Sequence, residues 1–158
     1  MEKKFSAIAL SYIWGPTGTG KTRGVMERYG YDKVCRITDY DHPFEKYAGE
    51  DVIVFDEFRS QLRISDMLNY LDGYPIMLPC RYANRQACYT KVYLISNVSL
   101  DEQYRNIQYD EPYTWAAFCR RIHKTIEFTA EGCNAEPAFE QEQLPQFTET
   151  EKHEPLPF

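Results

Sequence analysis

The apolar residues of this chain fall into short continuous runs, with stretches of helical spacing between them. Ile8-Ala-Leu-Ser-Tyr-Ile-Trp14 is apolar and ends in a glycine-rich turn, and Val34–Thr38, Val52–Phe55 and Val92–Ile95 are runs of the same kind. Apolar residues at consecutive rather than alternate positions mark strands covered on both faces, as in a mostly parallel sheet. Between these runs the spacing predicts helices. Lys21 to about Tyr29 is one, Ile64, Met67, Leu68 and Leu71 share the inner face of a second ahead of Gly73, and Trp115, Phe118, Cys119 and Ile122 mark a third. Thr125–Phe128 predicts a closing strand. Pro75–Tyr89 is the least regular part, a hairpin with strand-like flanks around an Arg81-Tyr-Ala-Asn-Arg85 centre. Strand and helix alternate, so the expected fold is α/β, with a central, mostly parallel sheet flanked by helices.

At 158 residues, 43% apolar and 27% charged, the chain has the balance of one globular domain. No apolar run approaches the ~20 residues that cross a bilayer, and the N-terminal residues lack a signal-peptide pattern, so an intracellular protein without a membrane partner is expected. The net charge of −6 is unevenly placed. Residues 129–158 hold seven acids, one base and four prolines, whereas residues 1–128 are neutral. This divides the chain into a body, 1–128, and an acidic, Pro/Gln-rich tail, 129–158, expected to be flexible. It also removes the objection that an acidic protein makes a poor partner for nucleic acid. Five cysteines, at 35, 80, 88, 119 and 133, form no Cys-x-x-Cys pair and are expected to be free thiols with no zinc site.

Gly15-Pro16-Thr17-Gly18-Thr19-Gly20-Lys21-Thr22 fits the phosphate-binding loop Gly-x-x-x-x-Gly-Lys-Ser/Thr at every fixed position. Its glycines let the backbone wrap closely and turn N–H groups toward phosphate oxygens, and the helix that follows adds its positive end. Lys21 would reach the β- and γ-phosphates, and the Thr22 hydroxyl would coordinate Mg²⁺. Val52-Ile-Val-Phe-Asp-Glu-Phe58 carries a carboxylate at the end of a buried strand. Asp56 is then the second Mg²⁺ partner, directly or through water, and Glu57 orients or activates the attacking water. Val92-Tyr-Leu-Ile-Ser-Asn97 ends another buried strand in a polar pair, by itself an ordinary strand end.

Taken in order and at these intervals, the three sites resemble those of the superfamily 3 helicases. More narrowly, residues 8 to 128 look like the ATPase domain of Rep proteins from circular single-stranded DNA viruses and related plasmids. Tyr47-Ala-Gly-Glu-Asp-Val-Ile-Val-Phe-Asp-Glu-Phe58, Leu68-Asn-Tyr-Leu-Asp-Gly-Tyr-Pro75, Ser96-Asn97 and Arg120-Arg-Ile122 carry the likeness beyond the phosphate loop. The resemblance implies a P-loop NTPase core of AAA+-like type, ATP and Mg²⁺ as cofactors, and a homo-oligomeric, hexameric ring. It further implies that Asn97 senses the γ-phosphate, and that Arg120 or Arg121 reaches a neighbouring subunit as an arginine finger. The Pro75–Tyr89 hairpin falls where the family has a loop lining the ring's channel. Arg81 stands for the usual lysine, and Tyr82 and Ala83 stand for the usual glycines. Arg81 and Arg85 would pair with phosphates of single-stranded DNA and Tyr82 would stack on a base.

Full-length Rep proteins also carry a nicking domain with a His-hydrophobic-His site. The histidines here, 42, 123 and 153, are not paired in that way, so origin nicking is not expected. Gln143-Leu-Pro-Gln-Phe147 resembles the short peptide by which bacterial proteins bind the sliding clamp. The expected function is an ATP-dependent DNA helicase of a replication initiator, in a bacterial cytoplasm or a host nucleus. An ATP-switched module that binds DNA or a partner without unwinding is the alternative. Glu57 separates the two, because a switch has little need of a water-activating acid.

Overall fold

The computed structural model describes residue 5 and residues 7–129. The clamp-like peptide at 143–147 and nearly all of the acidic tail lie outside the described residues. The chain runs β1 (Ala9–Trp14), α1 (Lys21–Tyr29), β2 (Val34–Ile37), β3 (Val52–Phe55), α2 (Ile64–Tyr70), β4 (Met77–Pro79) and β5 (Asn84–Gln86). It continues through β6 (Lys91–Ser96), α3 (Arg105–Asp110), α4 (Pro112–Arg120) and β7 (Lys124–Glu127). Five strands form one sheet in the order β2-β3-β6-β1-β7, and every pairing in it is parallel. The expected α/β architecture is therefore present.

Residues alternate strictly across this sheet, as the period of a strand requires. Leu10 and Tyr12 of β1, Ile53 and Phe55 of β3, and Val92 and Leu94 of β6 all face one side. There they meet Met67 from α2 and Phe118 from α4, both fully buried, with a set of aromatic rings that includes Phe44, Phe58 and Tyr89. Truncating Phe118 to alanine there would cost about 4 kcal/mol. Ile13, Val52, Val54, Tyr93 and Ile95 face the other side and pack against Val25 and Met26 of α1. Both faces being covered explains why β3 and β6 read as unbroken apolar runs.

Two parts of the chain differ from the sequence expectation. The segment between β6 and α4 contains a 3₁₀ turn at Leu100–Glu102 and the short helix α3, neither of which the apolar spacing announced. In the hairpin, β4 and β5 pair antiparallel with Leu78 opposite Arg85, so the turn is Cys80–Ala83 and Asn84 and Arg85 stand on the strand.

Candidate functional site

A parallel sheet brings the ends of its strands to one edge, and here that edge holds all three sequence sites. Because β6 lies between β1 and β3, Asn97 is set between the phosphate loop and the acids that follow β3. A cleft of about 530 Å³ opens there. Thr17, Gly18, Gly20, Lys21 and Thr22 line it from the loop, Asp56 and Glu57 from the end of β3, and Ser96 and Asn97 from the end of β6. Its lining also carries Arg23, Arg36 and Arg59, so four cations face two acids in a protein that is acidic as a whole. Such a cleft concentrates anions.

Bonds and turns within the loop hold its shape. A Cβ on Gly15 would come within 2.1 Å of the Phe128 carbonyl oxygen, so only glycine fits where β1 gives way to the loop beside β7. The Gly15 amide donates to the Ser96 carbonyl at 3.1 Å, joining the loop to β6. The Thr19 hydroxyl donates to the Pro16 carbonyl at 2.9 Å. Gly20 takes φ 85°, a left-handed turn that opens α1 with its first amides toward the cleft. The Lys21 ammonium lies over the loop and donates to the carbonyls of Gly15 (3.0 Å) and Pro16 (2.9 Å).

Asp56 is bonded on both carboxylate oxygens and at its carbonyl. Its carboxylate accepts from the Thr22 hydroxyl at 2.7 Å through one oxygen and from Arg36 Nε at 2.7 Å through the other. The Tyr40 hydroxyl donates to the Asp56 carbonyl at 2.7 Å. Burial, followed by the charges of Asp56 and Glu57, pushes the Tyr40 phenol well above its usual range and keeps it a donor. Thr22 and Asp56 thus bring two hard oxygen donors side by side, one of them an almost fully buried carboxylate, which is the chemistry Mg²⁺ selects. On the loop after β2, Asp39, His42 and Glu45 also bring ligand atoms within 4.8 Å of one another. Asp39 and His42 are exposed and Glu45 is half-buried, and Asp39 accepts from the amide of Asp41.

The chain turns sharply after Asp56. Glu57 and Ser60 both take positive φ, 52° and 60°, which is costly for residues with a side chain, ~1 kcal/mol or more each. Between them Phe58 is fully buried and its amide donates to the Ile95 carbonyl at 2.8 Å. The turn rests on a buried amide, Gln103. Its NH₂ group donates to the Tyr12 hydroxyl (2.8 Å), the Phe58 carbonyl (3.0 Å) and the Ser96 hydroxyl (3.2 Å), while its oxygen accepts from the Ser60 hydroxyl (2.6 Å). Glu57 is thereby presented exposed in the cleft, and Arg59 Nε donates to the Asn97 side-chain oxygen at 3.1 Å.

Arg36, Tyr40, Arg59 and Gln103 were not marked in the sequence. Arg36 had a signal, a charge inside the short apolar strand Val34–Ile37. Gln103 had none, because its partners lie as far as 91 residues away. The remaining sequence candidates fall outside the cleft. Arg81, Tyr82 and Arg85 are exposed on the hairpin, at the amino end of β6, with the Arg81 guanidinium 5.7 Å from the Tyr82 ring centre. Arg120 is exposed at the end of α4 and Arg121 is half-buried, its NH1 donating to the Ala117 carbonyl. Both arginines precede β7 and so stand at the sheet edge opposite the phosphate loop.

No family model matches the chain. It is 30% identical over 112 residues to the replication-associated protein of Canary circovirus, covering 71% of this chain and 36% of that protein. The replication-associated protein of beak and feather disease virus matches at 30% over 96 residues, 61% of this chain and 32% of that one. The chain is a distant homologue of circovirus replication-associated proteins. A human-associated cyclovirus supplies a further replication-associated protein, 21% identical over 127 residues and covered to 42%. The chain thus spans about a third of the length of the curated relatives it matches. Among solved structures, a chain from the closed-state reconstruction of Hsp104 with ATPγS and FITC-casein aligns at a TM-score of 0.45 and 18% identity, over 78% of this chain and 29% of that one.

Proposed function

We propose that this chain is the ATP-hydrolysing motor of a replication-associated protein, driving movement along single-stranded DNA. The observation that carries the reading is the 2.7 Å bond between Thr22 of the phosphate loop and Asp56, with Glu57 beside it in a cleft rich in cations. In this reading the loop amides and Lys21 bind the triphosphate, and Thr22 and Asp56 hold Mg²⁺, which screens the phosphate charge when bound. Glu57 takes a proton from the attacking water, and Asn97 reports the γ-phosphate. Subunits assemble as a homo-oligomeric ring, hexameric in the family this chain resembles. Arg120 is the better placed of the two terminal arginines to reach a neighbour, since Arg121 is engaged within its own helix. The exposed Arg81, Tyr82 and Arg85 form the DNA-contacting hairpin, joined through β6 to Asn97 roughly 20 Å away.

Steady-state ATP hydrolysis, with and without single-stranded DNA, tests the proposal, with Lys21→Ala as the inactive control. Turnover that rises with DNA and with protein concentration is expected. ATP binding without turnover under every such condition would instead select a nucleotide-switched binding module.

A further inference from the structure

Most cations of the cleft have an evident partner. Lys21 covers the carbonyls of its own loop, Arg23 pairs with Glu27, and Arg36 is bound to Asp56. Arg59 is different. Its Nε donates to Asn97, and among the described residues its two terminal amino groups have no hydrogen-bond or ion-pair partner. Arg59 is among the residues that line the cleft, with Asp56, Glu57 and Asn97.

Resting on the reading of the cleft as an ATP site, we infer that Arg59 is a further catalytic residue, a γ-phosphate ligand supplied by the same chain. The backbone supports this placement. Phe58 before it is sealed in the core and Ser60 after it is bonded to Gln103 and to the Tyr104 amide, so Arg59 is held between two anchors. The turn that achieves this uses two left-handed non-glycine residues, Glu57 and Ser60, a conformation that a merely solvated arginine does not require. Asn97 completes the arrangement. Its side-chain oxygen accepts from Arg59, which leaves its NH₂ group as a donor for an anion. A guanidinium held by Nε keeps its outer N–H groups as a planar fork, the geometry that matches phosphate oxygens.

In the reaction, the water oxygen bonds to the γ-phosphorus and one of its protons passes to Glu57. The bond to the β,γ-bridging oxygen breaks with its electron pair on ADP. Arg59 transfers nothing. It offsets negative charge on the γ-phosphoryl oxygens, a contribution that exists only while the γ-phosphate is present.

That dependence supplies the test. Binding of AMP-PNP and of ADP is measured for the wild-type chain, Arg59→Ala and Lys21→Ala, at dilutions where sedimentation shows a monomer. Arg59 is exposed, so the alanine variant should retain the wild-type circular dichroism spectrum. The expected result is a loss of about tenfold in AMP-PNP affinity for Arg59→Ala with ADP affinity within about twofold of wild type. At saturating ATP its turnover falls a further hundredfold or so. Equal losses for both nucleotides, or no loss for either, would overturn the assignment while leaving the ATP site standing. Failure of the wild-type chain to bind either nucleotide would remove the underlying reading and this one with it.

Discussion

At its carboxyl end β6 delivers Ser96 and Asn97 into a cleft whose side chains are bonded to one another. At its amino end the same segment continues from a hairpin whose turn, Cys80–Ala83, is tied to the rest of the described chain by Cys80, which packs half-buried against the core, and by the Arg81 amide's bond to the Glu45 carbonyl, while the Arg81 and Tyr82 side chains stand exposed. Thr22, Arg36, Asp56, Arg59 and Asn97 are each oriented by a neighbour, whereas Tyr82 stands 91% exposed. The difference matches the two tasks proposed for them. A site that acts on developing charge gains from donors and carboxylates fixed in advance. A surface that accepts any base gains from side chains free to adapt, because stacking and phosphate pairing do not need one geometry.

The strongest way to break this contrast is to disable the cleft's chemistry without disturbing its shape. Glu57→Gln keeps the size and the left-handed turn but removes the base, and Glu57 is exposed, so folding should be unaffected. Hydrolysis should fall about a hundredfold or more in single-turnover measurements, while ATP affinity stays within about threefold. A variant that hydrolyses at the wild-type rate would show that the strained turn serves something other than presenting Glu57.

The cleft was legible where its residues were local. The phosphate loop, Asp56 with Glu57, and Ser96-Asn97 each sit at the end of an apolar run, and the run itself announces the strand that delivers them. What stayed hidden depends on contacts between distant parts of the chain. Gln103 bonds to Tyr12, Phe58, Ser60 and Ser96, and no spacing rule in one dimension links these positions. Helix α3 was missed for a related reason. It is six residues long with no fully buried residue, so it lacks the apolar stripe from which a helix is read. The hairpin was recognised, but its turn was centred too late, because Asn84 reads as a turn residue while the structure places it opposite Pro79.

The hairpin's side of the contrast sharpens with two variants that should fail differently. Arg81→Ala removes a phosphate partner, so single-stranded DNA affinity should drop several-fold and the slope of log K against log salt should shrink by ~0.7. Tyr82→Ala removes a stacking surface, so affinity should drop roughly tenfold with the slope unchanged. Both residues are exposed and far from the cleft, and ATP hydrolysis without DNA should stay at the wild-type level. Loss of hydrolysis in either variant would mean that the two ends of β6 are less independent than their bonding suggests.

The smallest effect concerns how the hairpin is rooted. Asp51 stands just before β3 and fastens the start of β6, accepting at one carboxylate oxygen from the amide and hydroxyl of Thr90 and at the other from the Lys91 ammonium at 3.0 Å. Partial burial alone would raise its pKa, but the bonds from Thr90 and the charge of Lys91 outweigh burial and hold it below the ordinary 3.8. A carboxylate depressed in this way contributes its full stabilisation above pH 3.8 and loses it as the pH falls through the lower folded value. The pair is about half in water, so screening limits the contribution to about 0.5 kcal/mol, or a 1–2 °C difference in Tm for Asp51→Asn. Thermal melts should show a constant gap between the two proteins from about pH 5 to 8, closing below pH 3.8, with ATP affinity equal throughout. A gap that persists in acid would assign the fastening to neutral hydrogen bonds. The hairpin would then be rooted, like the cleft, by geometry rather than by charge.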